Sequence, residues 1–247
     1  TSQGHGGKAQ IQGGLGASSS GGSIWFESGY GTKTSSGNVT IRSVNAGFSG
    51  VSGRMMLFTG SSSEGNTGRI DVLTGVAPRA GRGGNITILV GTGTSGWGGN
   101  VSMLAGKSTV KTGGAVSIET GEGTSSSSGI IVIRSANASY AGVSGRLVFS
   151  SGTSSVANSG GIFLGTSAGA PSGRGGMVSV SVGSGTSGSG GALSVLSGRS
   201  TVHSGGALSL ESGEGTATSS GVISIRTANS GASGVSGRLI FSSGSAS

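Results

Sequence analysis

Residues 115–129 read AVSIETGEGTSSSSG, and residues 207–221 read ALSLESGEGTATSSG, the same phrase 92 positions later. Each copy opens with apolar side chains alternating with Ser, Val116/Ile118 in one and Leu208/Leu210 in the other. A polar run punctuated by Gly follows. Period-two alternation rich in β-branched residues predicts a strand with one buried face. The glycines suit corners that need positive φ or close backbone approach.

The phrase recurs on a finer scale. Segments beginning at Arg54, Arg146 and Arg238 (RMMLF, RLVFS, RLIFS) keep the 92-residue spacing, and each block divides into six units of 15 or 16 residues. Val39/Ile41, Ile86/Ile88, Val178/Val180 and Ile223/Ile225 repeat the apolar pair, with Thr40, Thr87 or Ser179 between the first three. A short strand, a corner, a polar return and a second corner describe one coil. Stacked coils would place each pair over the last at about 4.8 Å, so sixteen would form a rod of roughly 75 Å. The expected fold is therefore all-β: a single-stranded β-solenoid, or β-helix, of about sixteen 15–16-residue coils, six per 92-residue super-repeat. A lead-in over 1–7 would precede a continuous solenoid over 8–247, with super-repeats at approximately 54–145 and 146–237 and partial copies at both ends.

Composition narrows the alternatives. Of 247 residues 57 are Gly and only 2 Pro, with 4% aromatic and 9% charged residues. Average domains hold roughly 7% Gly and about 25% charged residues, so no thick globular core is expected. Collagen requires Gly at every third position and abundant Pro, neither of which is present. Mean hydropathy is +0.12, higher than disordered chains usually show. The chain lacks Cys, which removes disulfides and thiolate metal sites, and no apolar run is long enough to insert in a membrane.

If units stack, side chains fifteen apart should suit one another. Glu27/Arg42, Glu64/Arg79, Lys107/Glu122, Glu119/Arg134, Arg199/Glu214 and Glu211/Arg226 all have that spacing. Six of the seven acidic residues thus acquire a basic neighbour, each pair worth roughly 0.2–1 kcal/mol and useful chiefly in fixing register. Thr94, Thr109 and Thr124, and again Thr186, Thr201 and Thr216, form ladders at the same interval. The formal charge is +8, but the nine remaining basic residues are spread along the chain. No dense basic cluster interleaved with aromatics appears, so specific nucleic-acid binding is not expected.

Catalytic chemistry finds no footing in the sequence. Histidine occurs only at His5 and His203, with a single Asp, and His203 takes the slot of Lys111 in the preceding block. Glycosidase chemistry needs two carboxyl groups facing each other across one cleft; here the acids are matched with bases. Gly-x-Gly-x-x-Gly patterns arise by chance at this Gly content and lack a strand-loop-helix context. No catalytic, cofactor-binding or metal-ligating residue is assigned, and no cofactor is expected. Asn38, Asn85, Asn100 and Asn137 sit in glycosylation sequons that the abundance of Ser and Thr makes common. Trp25, Tyr30, Phe48, Trp97, Tyr140 and Phe163 lie off the main apolar column and are read as covers for a coil edge or neighbouring subunit. Thr32/Thr34, Thr92/Thr94 and Thr216/Thr218 carry the Thr-x-Thr pattern of ice-binding solenoids, though not on successive coils.

Units such as GGAVSIETGEGTSSSSG and NSGASGVSGRLIFSSG give the chain over residues 8–247 a repeat style that resembles the Gly/Ser/Thr-rich repeat proteins of microalgal and microbial cell surfaces. The resemblance implies an extracellular or cell-surface location and a structural, fibrous or adhesive role, and carries over no functional residue. The expected function is a non-enzymatic scaffold or filament segment built by coil stacking. The alternatives are ice binding through a Ser/Thr-rich face and an adhesin for polysaccharide or mineral. The last unit stops in mid-coil at Ser247 without a polar cap, which points to self-association or continuation into a longer repeat chain. Anionic polysaccharide, mineral and ice surfaces are the partners considered.

Overall fold

A computed structural model describes residues 7–79, 81–140, 142–170 and 173–245. The expected lead-in, apart from Gly7, and His5 lie outside them. The chain divides into two units, Thr1–Ile118 and Glu119–Ser247.

The β-solenoid expectation is overturned. Among the described residues there is neither helix nor strand; the backbone is non-regular throughout. Ile118 and Ile133, expected one above the other in stacked strands, are 61% and 56% exposed and belong to no strand. No described residue of any kind is buried. The accessible surface is 25392 Å². A folded monomer of this mass exposes about 9,700 Å² and an extended chain about 34,000 Å², so this structure stands nearer the second. The labels β-solenoid and β-helix do not describe it.

The physical reason lies in how little each unit can bury. An apolar pair per 15 or 16 residues must offset the ordering of a whole unit, and 57 residues of the chain are Gly, the residue that loses most freedom on ordering. Alternation specified which residues could share a face. It did not supply enough apolar surface for one chain to cover that face.

Local geometry nevertheless repeats with the period read from the sequence. In the first unit the chain bends at 17–19, 32–34, 48–49, 63–65, 79, 94–96 and 109–111. The second unit bends at 124–126, 140, 155–157, 173, 186–188, 201–203, 216–218 and 232–234. The bends thus return about every 15 or 16 residues, one to a polar return. These returns do not cross a coil. They close on themselves as Ω-like loops whose ends meet, and the apolar segments run between one loop and the next.

Hydrogen bonds between glycines close seven of these loops. Gly22 N–H donates to Gly14 C=O at 2.8 Å, Gly37 to Gly29 at 3.0 Å and Gly114 to Gly106 at 2.8 Å. In the second unit Gly129 donates to Gly121 at 3.1 Å, Gly191 to Gly183 at 3.1 Å, Gly206 to Gly198 at 2.9 Å and Gly221 to Gly213 at 2.9 Å. Gly37, Gly129 and Gly221 are successive 92-residue equivalents, as are Gly22, Gly114 and Gly206. No described residue, Gly included, has positive φ. Close approach is what the loop glycines supply. A methyl group on Gly123 would meet the Ser127 carbonyl oxygen and lie 2.6 Å from that of Ser126.

Candidate functional site

Inside the loops, serine hydroxyls cap the bends. Ser108 Oγ accepts from Lys111 N–H at 2.9 Å, and Ser200 Oγ accepts from His203 N–H at 2.9 Å. The equivalence of Lys111 and His203 is therefore one of backbone geometry, with the side chain free to vary. Ser62 Oγ accepts from Gly65 N–H, and Ser154 Oγ from Ala157 N–H, both at 2.9 Å and again 92 residues apart. Such hydroxyl-to-backbone bonds stabilise turns in competition with regular structure.

The ladder threonines share one local place. Thr94, Thr109, Thr124, Thr186, Thr201 and Thr216 are each the first residue of a three-residue bend, and all are exposed. Thr32 and Thr34 likewise occupy a bend, as do Thr216 and Thr218.

The twelve charged residues of the expected pairs fall into three local classes. Glu27, Glu119 and Glu211 end one kind of apolar segment, while Arg42, Arg134 and Arg226 end the next. Lys107, Arg199, Glu122 and Glu214 stand second in their loops, and Glu64 and Arg79 lie at bends. Within the units, Glu27/Arg42, Glu64/Arg79, Glu119/Arg134, Arg199/Glu214 and Glu211/Arg226 are not brought to ion-pair distance; Lys107 and Glu122 belong to different units. The ion pair among the described residues joins Arg69 Nε to Asp71 Oδ2 at 2.8 Å. It spans two positions of one segment, with side chains 84% and 44% exposed.

A second recurrence was not singled out by the charge arithmetic. Residues 41–45 read IRSVN, 133–137 read IRSAN and 225–229 read IRTAN. In the third copy Arg226, Thr227, Ala228 and Asn229 line an open concavity of about 370 Å³. In the second copy Arg134, Ser135, Ala136 and Asn137 line one of about 240 Å³. Beside each concavity a glycine comes close to the hydroxyl residue of the group. A methyl group built on Gly145 would sit 3.0 Å from Ser135 Cβ, and one on Gly237 would sit 3.2 Å from Thr227 Cγ2. Ser135 and Thr227 are accordingly half-buried. The sequence signal was available: Arg, a hydroxyl residue and Asn recur together at the 92-residue period. Pairing each Arg only with the Glu fifteen residues before it concealed the group.

Among the described residues no group of His, Asp and Glu side chains stands together as a metal cage, and no helix is long and apolar enough to cross a membrane. No protein-family model, curated protein or solved structure matches the chain.

Proposed function

We propose that the chain is a non-enzymatic structural repeat segment of an extracellular matrix or cell surface, which assembles by burying its apolar segments against further copies of itself. The observation that carries this reading is periodic exposure. Val116, Ile118, Leu208 and Leu210 are 57%, 61%, 58% and 70% exposed, and their counterparts recur through both units. Large apolar side chains left exposed at every repeat offer a surface for association. Each fully buried side chain of this size gains about 1.5–3 kcal/mol, and the period repeats that gain along the chain. The loops keep hydroxyls and charges between the apolar segments, which sustains hydration while association proceeds.

Sedimentation velocity over a wide range of protein concentration tests the reading. Concentration-dependent growth, accompanied by loss of binding of an apolar dye, is the expected result. A single monomeric species at every concentration, still binding the dye, would reject it.

A further inference from the structure

We propose that the recurring Arg–Ser/Thr–x–Asn group is a binding site for oxyanion substituents, sulfate ester or carboxylate, on an anionic polysaccharide. The site has three copies: Arg42/Ser43/Asn45, Arg134/Ser135/Asn137 and Arg226/Thr227/Asn229. The second and third line the concavities just described.

The chemistry of the group is that of oxyanion recognition. A guanidinium presents a planar fork of donors that matches the spacing of two oxygens on sulfate or carboxylate. A hydroxyl and a carboxamide add neutral donors within the same four residues. None of these four-residue groups contains an acid. The acids that sequence spacing would pair with the three arginines, Glu27, Glu119 and Glu211, are not within ion-pair distance of them. Each arginine is therefore available to an external anion. The chain passes close behind the Ser or Thr, with Gly145 near Ser135 and Gly237 near Thr227, and these two side chains are partly shielded.

Spacing argues for a polysaccharide over a nucleic acid. One cation per 92 residues does not match the dense, regular charge of a nucleic acid backbone, and the third copy has no aromatic side chain on which a base could stack. Separate, weak sites repeated along one chain suit a long polymer bearing the same substituent many times, because each bound site raises the effective concentration at the next.

The test is titration of the full chain with dextran sulfate, carboxymethyl dextran and uncharged dextran in parallel. The two charged polymers distinguish sulfate ester from carboxylate, and binding to at least one of them, with none to uncharged dextran, is expected. The triple variant R42Q/R134Q/R226Q should bind the preferred polymer at least about tenfold more weakly. The control R54Q/R146Q/R238Q removes the same three charges, leaving +5 in place of +8, from positions with the same 92-residue spacing. Its loss should be several-fold smaller. The uncharged change N45A/N137A/N229A should weaken binding about fivefold with no change in charge. Equal losses in the two arginine triples, no loss in the asparagine triple, or no binding of either charged dextran would overturn the site. Equally tight binding of a single-stranded oligonucleotide would overturn the ligand class. Sedimentation of the same variants reports self-association independently, so failure here is distinguishable from failure of the assembly reading.

Discussion

The loop over 121–129 and the apolar segment over 130–134 adjoin in sequence and have opposite outcomes in structure. The loop meets its own needs: Gly129 bonds back to Gly121, and Gly123 and Thr120 are among the few half-shielded residues. The segment meets none. Ile130, Val132 and Ile133 are 85%, 72% and 56% exposed, with no backbone partner in a strand. The same contrast separates loop 213–221 from residues 222–226. Hydrogen bonding over eight residues closes at small entropic cost because the ends are near in sequence. Apolar burial needs a second surface, and no described residue of this segment is buried against one. Local contacts are made, and the apolar segments stay exposed.

Removing the apolar side chains should change the molecule most. On the proposed assembly, the variant V116S/I118S/L208S/L210S is expected to shift self-association to higher concentration, since each side chain contributes about 1.5–3 kcal/mol when buried. Sedimentation should then report a monomer at concentrations where the parent assembles, while the loop amides keep their chemical shifts. A smaller effect, on the opposite half of the contrast, is expected from G123A with G215A. A methyl group at Gly123 meets the Ser127 carbonyl oxygen, and one at Gly215 meets that of Ser219 and lies 2.8 Å from that of Thr218. The loops must open, so amide exchange at Gly129 and Gly221 should accelerate about five- to tenfold, the equivalent of one hydrogen bond. Assembly should survive if segments and loops are independent, and its loss would show that they are coupled.

Weaker still is the capping contribution of the serines. S108A with S200A removes the hydroxyls that accept from Lys111 and His203, and exchange at those two amides should rise by a few-fold, in line with about 0.5–1 kcal/mol. The smallest effect belongs to D71N. The Arg69–Asp71 pair is solvent-exposed, so its loss should change local order by under about 1 kcal/mol, and by less in high salt.

The sequence conveyed the period and withheld the packing. Unit length was legible because Gly and Ser chemistry acts within a few residues. Thr94, Thr109 and Thr124 could be matched on paper, and the structure gives all three the same place in a bend. Loop closure was not legible. The pattern places Gly121 and Gly129 at two corners of a coil, whereas they bond to each other, and nothing in their spacing distinguishes a return that spans from one that closes. Strand stacking failed for another reason. Alternation at Val116/Ile118 states which side chains share a face, but says nothing of whether one chain carries enough surface to cover it. The candidate site was half visible: Arg134 and Arg226 were recognised as charges, while Asn137 and Asn229 gain significance only from lining the same concavities.

Amide hydrogen exchange, resolved by segment and followed as a function of protein concentration, tests the division into closed loops and open segments most directly. In dilute solution, residues 115–119, 130–134 and 207–211 should exchange as an unfolded chain does, and the loop-closing amides of Gly114, Gly129 and Gly221 should be slower. Protection should spread to the apolar segments only as concentration rises. Strong protection of those segments in the dilute monomer would show that one chain pairs them by itself and would contradict the account.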